Sequence, residues 1–470
     1  MPPLEMERMH MSTAIKPPER VLNIMRAFRE NGYDAYAVGG CIRDSVLGRE
    51  PKDWDITTNA LPSVIKTLFE KTVDTGLKHG TVTVVFEGEA FEVTTFRIDG
   101  AYEDGRHPSY VEFTGKLEDD LRRRDFTMNA MAWNEEKGIV DPFGGSEDIS
   151  AGMIRAIGEP ADRFREDALR MLRAVRFAAQ LGFEIHQRTM EAIRKNCKLI
   201  NNVSSERIRE ELNGIMTAED PMKLVLLREA GMMQLILPEL EVCFATPQNN
   251  PHHVYNVGEH TLRSVAAIEN DKCLRWAMLL HDTGKAVTRT TDEKGIDHYY
   301  GHPVKSMEIA EAVMKRLKFD KKSMERIIRL IRFHDRDILP QPKAVAKAVN
   351  VVGDDIFIDL LKVKRADKAA QNPSDLQKGI EYIDTIERIY IGLKADHYCL
   401  SLRDLAIDGR DLVALGFQEG KEIGKMLKFL FEKVLEDPAF NEKEKLKELA
   451  AKVYCDKISS NLTKNNIEGR

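Results

Sequence analysis

The six cysteines (Cys41, Cys197, Cys243, Cys273, Cys399 and Cys455) are scattered through 470 residues with no CxxC pair. That spacing excludes a disulfide framework and a thiolate zinc site. No apolar run approaches the roughly eighteen residues that a membrane span needs, and the first residues show no basic stretch followed by an apolar one. The expectation is a cytoplasmic protein with no membrane partner; nothing in the sequence fixes its oligomeric state. An internal repeat is also lacking. The charge lacks the basic excess common in nucleic-acid binders, with a formal net of −6. Phosphate contacts depend on local charge, however. Between Arg163 and Lys198 there are nine Lys or Arg against four Asp or Glu, and Arg122, Arg123 and Arg124 precede them. A composition of 43% apolar and 31% charged residues excludes wholesale disorder. The length exceeds what one compact core accommodates, so two or more domains are expected.

From Tyr33 to about Trp133, short β-rich runs (YAVGG, DWDIT, TVTVVFEG, AFEVTTFR) mix with helical stretches. Beyond Asp141 strands nearly vanish and apolar residues recur at helical spacing. A Pro/Asn-rich break, TPQNNPHH at 246–253, separates two helical regions. The class read from this is α+β, with a small mixed-sheet head at 20–140 and an all-α neck and body at 141–245. A further helical domain follows at 250–375, then a helical C-terminal region at 376–460.

The segment YAVGGCIRDSVLGREPKDWDIT carries the first chemical signal. A strand entering Gly39-Gly40 and a helix leaving it lets backbone N–H groups approach a triphosphate, and the helix N-terminus favours the anion. Asp53 and Asp55, two apart in an expected strand, would share one face. Paired carboxylates there suit two Mg²⁺ ions, one activating a hydroxyl and one stabilising pyrophosphate. Glu92, in Phe91-Glu92-Val93, is the candidate third acid on a neighbouring strand.

The order GGCIRD then DWD resembles the nucleotidyltransferase superfamily, in its branch of bacterial CCA-adding enzymes and poly(A) polymerases. EDDLRRRDFTMNAMAW (118–133) is similar to that family's RRDFTxNA motif, and FREDALRMLRAVRF to its EDxxR motif. The resemblance implies that Gly40, Arg43, Arg124, Asp125 and Asn129 hold the incoming nucleotide's phosphates and sugar. It assigns Asp167 and Arg170 to the base, with Arg173 following them as a further nucleotide-binding residue. Cytosine and adenine pair an amino donor with a ring-nitrogen acceptor, whereas guanine and uracil present a carbonyl beside a ring N–H. A carboxylate only accepts and a guanidinium only donates, so Asp167 and Arg170 on one helical face would admit CTP and ATP. SSERIREELNGIM (204–216) resembles the helix that braces the neck, with Glu206 and Arg209 structural. Tyr102, Arg106 and Pro108 match the flexible loop of complete CCA-adding enzymes. The family implies Mg²⁺ as cofactor, tRNA, CTP and ATP as partners, and template-independent CCA addition as the activity.

The second signal is His260, the dyad His281-Asp282 in LLHDTGK, His302, His334 and Asp367. Imidazoles and carboxylates drawn from several helices suit one or two divalent transition metals. The pattern resembles an HD-type phosphohydrolase domain, with His260, His281, Asp282 and Asp367 as core ligands and His302 and His334 extending the site. Lys285 would meet a substrate phosphate. Two other functions remain open. The transferase could be an A-adding enzyme or a poly(A) polymerase, or the chain could be an RNA-end or nucleotide phosphohydrolase whose first half only binds RNA.

Overall fold

The computed structural model describes residues 15–100, 109–251 and 253–454. Tyr102, Arg106 and Pro108 of the expected loop lie outside the described residues. The chain divides into two compact units. The first runs to Glu241 and takes in Arg316–Lys318; the second comprises Val242–Lys315 and the chain from Phe319.

The first unit is built on seven strands: β1 (Ala35–Val38), β2 (Ile56–Thr58), β3 (Thr72–Gly76), β4 (Thr81–Phe86) and β5 (Glu89–Thr95), with β8 (Ala132–Asn134) and β9 (Gly138–Val140). A separate ladder joins β6 (Arg97–Asp99) to β7 (Val111–Phe113). The seven lie in the order β3-β4-β5-β2-β1-β8-β9. All four residues of β1 are buried, as a central strand covered on both faces requires. Strand β5 instead alternates: Phe91 and Val93 turn inward while Glu92 is exposed. Tyr36, Val38, Phe96, Leu121, Ala130, Ala132 and Ile157 form the core against one side of the sheet.

Helices follow, chiefly Pro160–Glu166, Leu169–Leu181, Gln187–Asn196 and Ser205–Met216. Leu169–Leu181 buries Leu169, Leu172, Val175 and Ala179 at the 3–4 spacing of one face. It ends at Gly182, whose φ of 72° is a left-handed conformation that a side chain would strain.

The second unit is almost entirely helical. Val257–Ala267, Lys272–Leu280 and Lys321–Phe333 start where Asn256, Asp271 and Asp320 accept backbone N–H bonds from Glu259, Leu274 and Ser323. Each such cap contributes about 1 kcal/mol. They also set the phase of every side chain that follows. Lys272–Leu280 has no exposed residue beyond its first and holds the fully buried Trp276. Helices Phe357–Ala369 and Pro373–Ala395 complete the part that matters for the site. Among the described residues, no helix is long and apolar enough to cross a membrane.

Candidate active sites

The turn after β1 leads directly into a helix N-terminus. Gly39 has φ 83° and ψ −127°, and helix Gly40–Val46 begins at the next residue. The conformation demands glycine, and a β-carbon there would stand 2.9 Å from Nη1 of Arg124, a contact that the guanidinium would have to move to relieve. Asp53 and Asp55 do not lie in a strand, contrary to expectation. They sit just before β2, where Val38 donates to the Asp55 carbonyl at 3.0 Å. Strand β2 runs parallel to β5 with Ile56 opposite Val93, which aligns Asp55 with Glu92. Loss of solvent raises the Asp55 carboxyl; Arg124 opposes this, and the charges of Glu92 and Asp53 push it higher. The three carboxylates do not converge as tightly as the second unit's clusters do. Three anions with one nearby guanidinium repel one another, and an oxygen-only donor set of this kind fits a hard ion such as Mg²⁺.

Four expected nucleotide-site residues join in one network. Arg43 donates to Asn129 Oδ1 at 2.7 Å, Asn129 donates to Asp125 Oδ1 at 3.0 Å, and Arg173 Nε donates to Asp125 Oδ2 at 2.7 Å. Burial would raise the Asp125 carboxyl, but Arg173, Asn129 and Arg170 together bring it down to about 2. The ring of Phe177 lies under the guanidinium groups of Arg43, Arg173 and Arg176, at 5.0, 5.3 and 4.4 Å from its centroid. Cation–π attraction on that scale holds three like charges side by side.

Asp167 and Arg170 do not share one continuous helix. The backbone breaks at Asp167 (φ −143°, ψ 106°), between helices Pro160–Glu166 and Leu169–Leu181. The Asp167 side chain holds the break: Oδ1 accepts the Leu169 N–H at 3.0 Å, and Arg207 of Ser205–Met216 donates to Oδ2 at 2.7 Å. Arg170 donates to Glu166 at 2.6 Å and to the Arg123 carbonyl at 2.9 Å. These contacts fix both side chains in place, and each keeps hydrogen-bonding capacity beyond them.

In the second unit, all six expected residues converge. His260 Nε2 is 3.3 Å from Asp282 Oδ2 and 3.0 Å from Asp367 Oδ1; His281 Nε2 is 3.3 and 3.5 Å from the same two atoms. On the other side of Asp282, Oδ1 lies 3.4 Å from His302 Nε2 and 3.5 Å from His334 Nε2. The opposite ring nitrogens are all committed. Nδ1 of His260, His281, His302 and His334 faces the carbonyls of Ala370, Met278, Tyr299 and Ile331, at 3.1, 2.7, 2.9 and 2.7 Å. His281 and His334 stand at helix C-caps, where such carbonyls have no helical partner. Each Nδ1 must donate, so each Nε2 of a neutral ring presents a lone pair to the centre. His302 Nε2 and His334 Nε2 are then two acceptors 3.2 Å apart. A cation between them resolves the conflict. Against burial, Asp282 and Asp367 push His281 up to about 10, whereas burial holds His334 of the outer pair low. Lys285 is not positioned for a substrate phosphate. It is buried, donating to Asp282 at 2.7 Å and to Gln248 at 3.0 Å.

Residues 35–155 match the family described as Poly A polymerase head domain. Residues 182–244 match "Probable RNA and SrmB-binding site of polymerase A", and 304–450 match "tRNA nucleotidyltransferase domain 2 putative". The CCA-adding enzyme of Limosilactobacillus reuteri (strain DSM 20016) is 32% identical over 411 residues, covering 87% of this chain and 90% of that one. The chain belongs to the CCA-adding enzyme and poly(A) polymerase family. A second CCA-adding enzyme, from Geobacillus thermodenitrificans, is 46% identical over 277 residues, which is 58% of this chain and 66% of the relative. The match to the Geobacillus kaustophilus CCA-adding enzyme spans half of that relative's length, at 53% identity. The structure of the Bacillus stearothermophilus CCA-adding enzyme in complex with CTP covers 95% of this chain at 30% identity, with a TM-score of 0.71. The α+β class is thus shared with this CCA-adding enzyme.

In this member of the CCA-adding enzyme family, the segment from 245 to 303 falls between the matched regions, and it carries His260, His281, Asp282 and His302. Three contributors escaped the sequence reading. Asp120 is fully buried and accepts from Arg123 Nη2 at 2.8 Å and Thr57 at 3.2 Å; its three- and four-residue spacing from Arg123 and Arg124 was the available signal. Arg207 pairs with Asp167 across 40 residues, and Gln371 donates to Asp367 Oδ2 at 2.9 Å. No local pattern announces either.

Proposed function

We propose that the chain adds CCA to tRNA 3′ ends from CTP and ATP, without a template. The observation that carries this reading is the Arg43–Asn129–Asp125–Arg173 network beside the Gly39-Gly40 turn, in a chain related along most of its length to CCA-adding enzymes. Asp53 and Asp55, with Glu92 beside them, would hold Mg²⁺, which when bound supplies charge neutralisation and a more acidic attacking hydroxyl. The terminal hydroxyl of the RNA attacks the α-phosphorus, the bond to pyrophosphate breaks in line, and the hydroxyl proton is lost. Backbone N–H groups after Gly39, with Arg43 and Arg124, cradle the triphosphate. Asp167 accepts from the exocyclic amino group of cytosine or adenine, and Arg170 donates to the ring nitrogen. Asp53→Ala and Asp55→Ala test the assignment. Each should cut incorporation by about a thousandfold with the fold retained, judged by an unchanged far-ultraviolet circular dichroism spectrum. Incorporation at the parent rate in both variants rejects this site.

A second activity is supported by the paired acceptors of His302 and His334 and the bridging position of Asp282. We infer that His260, His281, Asp282 and Asp367 hold one divalent transition metal and that Asp282, His302 and His334 hold a second. Bound metal would supply a nucleophilic water for phosphoester hydrolysis, in which the ester P–O bond is replaced by a bond to the water oxygen and the leaving alcohol takes a proton. The paired variant His281→Ala, Asp282→Ala should lose bound metal and phosphate release while keeping nucleotide addition. Phosphate release unchanged in that variant rejects the hydrolase reading.

A further inference from the structure

A single transverse row of the seven-stranded sheet runs through the carboxylates of the first unit. Val38, at the end of β1, donates to the Asp55 carbonyl; Asp55 is aligned with Glu92 of β5; Glu92 lies opposite Thr83 of β4, and Thr83 opposite Val73 of β3. Paired residues share a face of the sheet, so Glu92, Thr83 and Val73 project to the same side. At the β1 end of the row stand the Gly39 turn and Arg124. Beyond Glu92 the chemistry changes. Thr83 and Thr75 share a hydroxyl–hydroxyl hydrogen bond of 2.8 Å, and one row further Thr81 and Thr94 share another of 3.1 Å. Thr75 is exposed, Thr83 is 9% exposed, and Val73 is an apolar side chain 48% exposed. Strands β4 and β5 contain no Lys or Arg. Strand propensity accounts for β-branched residues here but not for their hydroxyls, since valine would fill the same positions.

We propose that Thr83 and Thr75 receive the terminal ribose of the RNA being extended and select it by its 2′-hydroxyl. This rests on the nucleotidyl-transfer reading above. In-line displacement places the attacking and leaving oxygens on opposite sides of the α-phosphorus. With the Gly39 turn and Arg124 holding the triphosphate, pyrophosphate leaves toward the β1 end of the row, and the attacking 3′-oxygen enters from the Glu92 end. Neighbouring strands are about 4.8 Å apart, so the sugar that carries this oxygen comes to rest one strand further on, over Thr83. A bonded pair of hydroxyls spends one O–H on itself and keeps the other, with lone pairs on both oxygens, so it can donate to a 2′-hydroxyl or accept from it. With no cation on β4 or β5, this surface suits an uncharged sugar better than a phosphate, and Val73 meets the apolar edge of the ring.

The full-length chain is given Mg²⁺, ATP and two tRNA transcripts ending in CC, one with ribose and one with 2′-deoxyribose at the last position; both keep the 3′-hydroxyl that reacts. The parent should use the ribose end at least about tenfold better in kcat/KM. Thr83→Val should abolish this preference by lowering kcat/KM for the ribose end about tenfold, with the deoxyribose end and the KM for ATP unchanged. Thr83→Ser, which retains a hydroxyl, should keep the preference. Valine matches threonine in shape and leaves only the exposed Thr75 hydroxyl without its partner, so the sheet is expected to persist. Should Thr83→Val fail to fold, Thr75→Val, at an exposed position, decides by the same ratio. Equal use of the two ends by the parent, a variant that retains the parental preference, or one that loses activity on both ends alike overturns the ribose assignment while leaving CCA addition standing. Failure of the parent to extend either end overturns the transfer reading, and the ribose assignment with it.

Discussion

Arg173 donates through Nε to Asp125 Oδ2 at 2.7 Å, and this contact joins helix Leu169–Leu181 to the loop that follows Arg124. Asp125 is 7% exposed and its other oxygen accepts from Asn129 and from the Phe126 N–H, so the carboxylate is held ionised in a nearly dry setting. Removing its charge strands Arg173. Asp125→Ala should destabilise the first unit by about 3 kcal/mol in chemical denaturation, and Asp125→Asn by less.

The same carboxylate gives a pH dependence of known sign. Its folded value of about 2 lies below the unfolded value of about 3.9, so its contribution is complete above roughly pH 4. That contribution, on the order of 2 kcal/mol, is lost as the pH falls through about 2. Acid denaturation of Asp125→Asn should show a correspondingly shallower decline over that window than the parent; identical slopes would mean that Asp125 is not the group responsible.

Asp167 and Arg170 offer the sharpest test of base selection. Replacing Asp167 by asparagine adds an amide donor where the carboxylate only accepts. Asp167→Asn should lower CTP and ATP incorporation by about ten- to a hundredfold and raise the relative use of UTP, measured as the ratio of kcat/KM values. Arg207→Ala, which removes the partner of Asp167 without touching the base, should lower kcat/KM for CTP and ATP alike and leave their ratio unchanged.

Gly39→Ala places a side chain on a φ of 83° and against Arg124. About 1–2 kcal/mol of destabilisation is expected. The same change should raise KM for both nucleotides, because the displaced turn is the one proposed to meet the triphosphate.

In the second unit, His302→Ala removes one ligand of the outer pair and leaves the inner four. Metal content by inductively coupled plasma mass spectrometry should fall from two ions to one per chain. His281→Ala should empty the inner site, and an unchanged content in both variants would argue against the assigned ligands.

Much of this arrangement was legible in the sequence because its determinants are local. Phe91-Glu92-Val93 alternates as a half-buried strand does, and Glu92 emerges on the exposed face beside Asp55. The histidines and acids of the second unit were visible by type and spacing. What fixes their tautomers was not: the carbonyls of Ala370, Met278, Tyr299 and Ile331 are backbone groups whose availability depends on where helices end. The break at Asp167 was missed because its side chain competes for a backbone N–H that helical periodicity assigns elsewhere. Lys285 is expected from the sequence to meet a substrate phosphate, yet packing turns it inward onto Asp282.

CCA addition is tested most directly with a tRNA transcript that ends before CCA. The purified chain is incubated with Mg²⁺ and with CTP, ATP or both, and products are resolved at single-nucleotide length. Expected are two additions with CTP alone and a third only when ATP is also present. Addition of A only to a transcript already ending in CC, long tails from ATP alone, or no addition under any condition would contradict it.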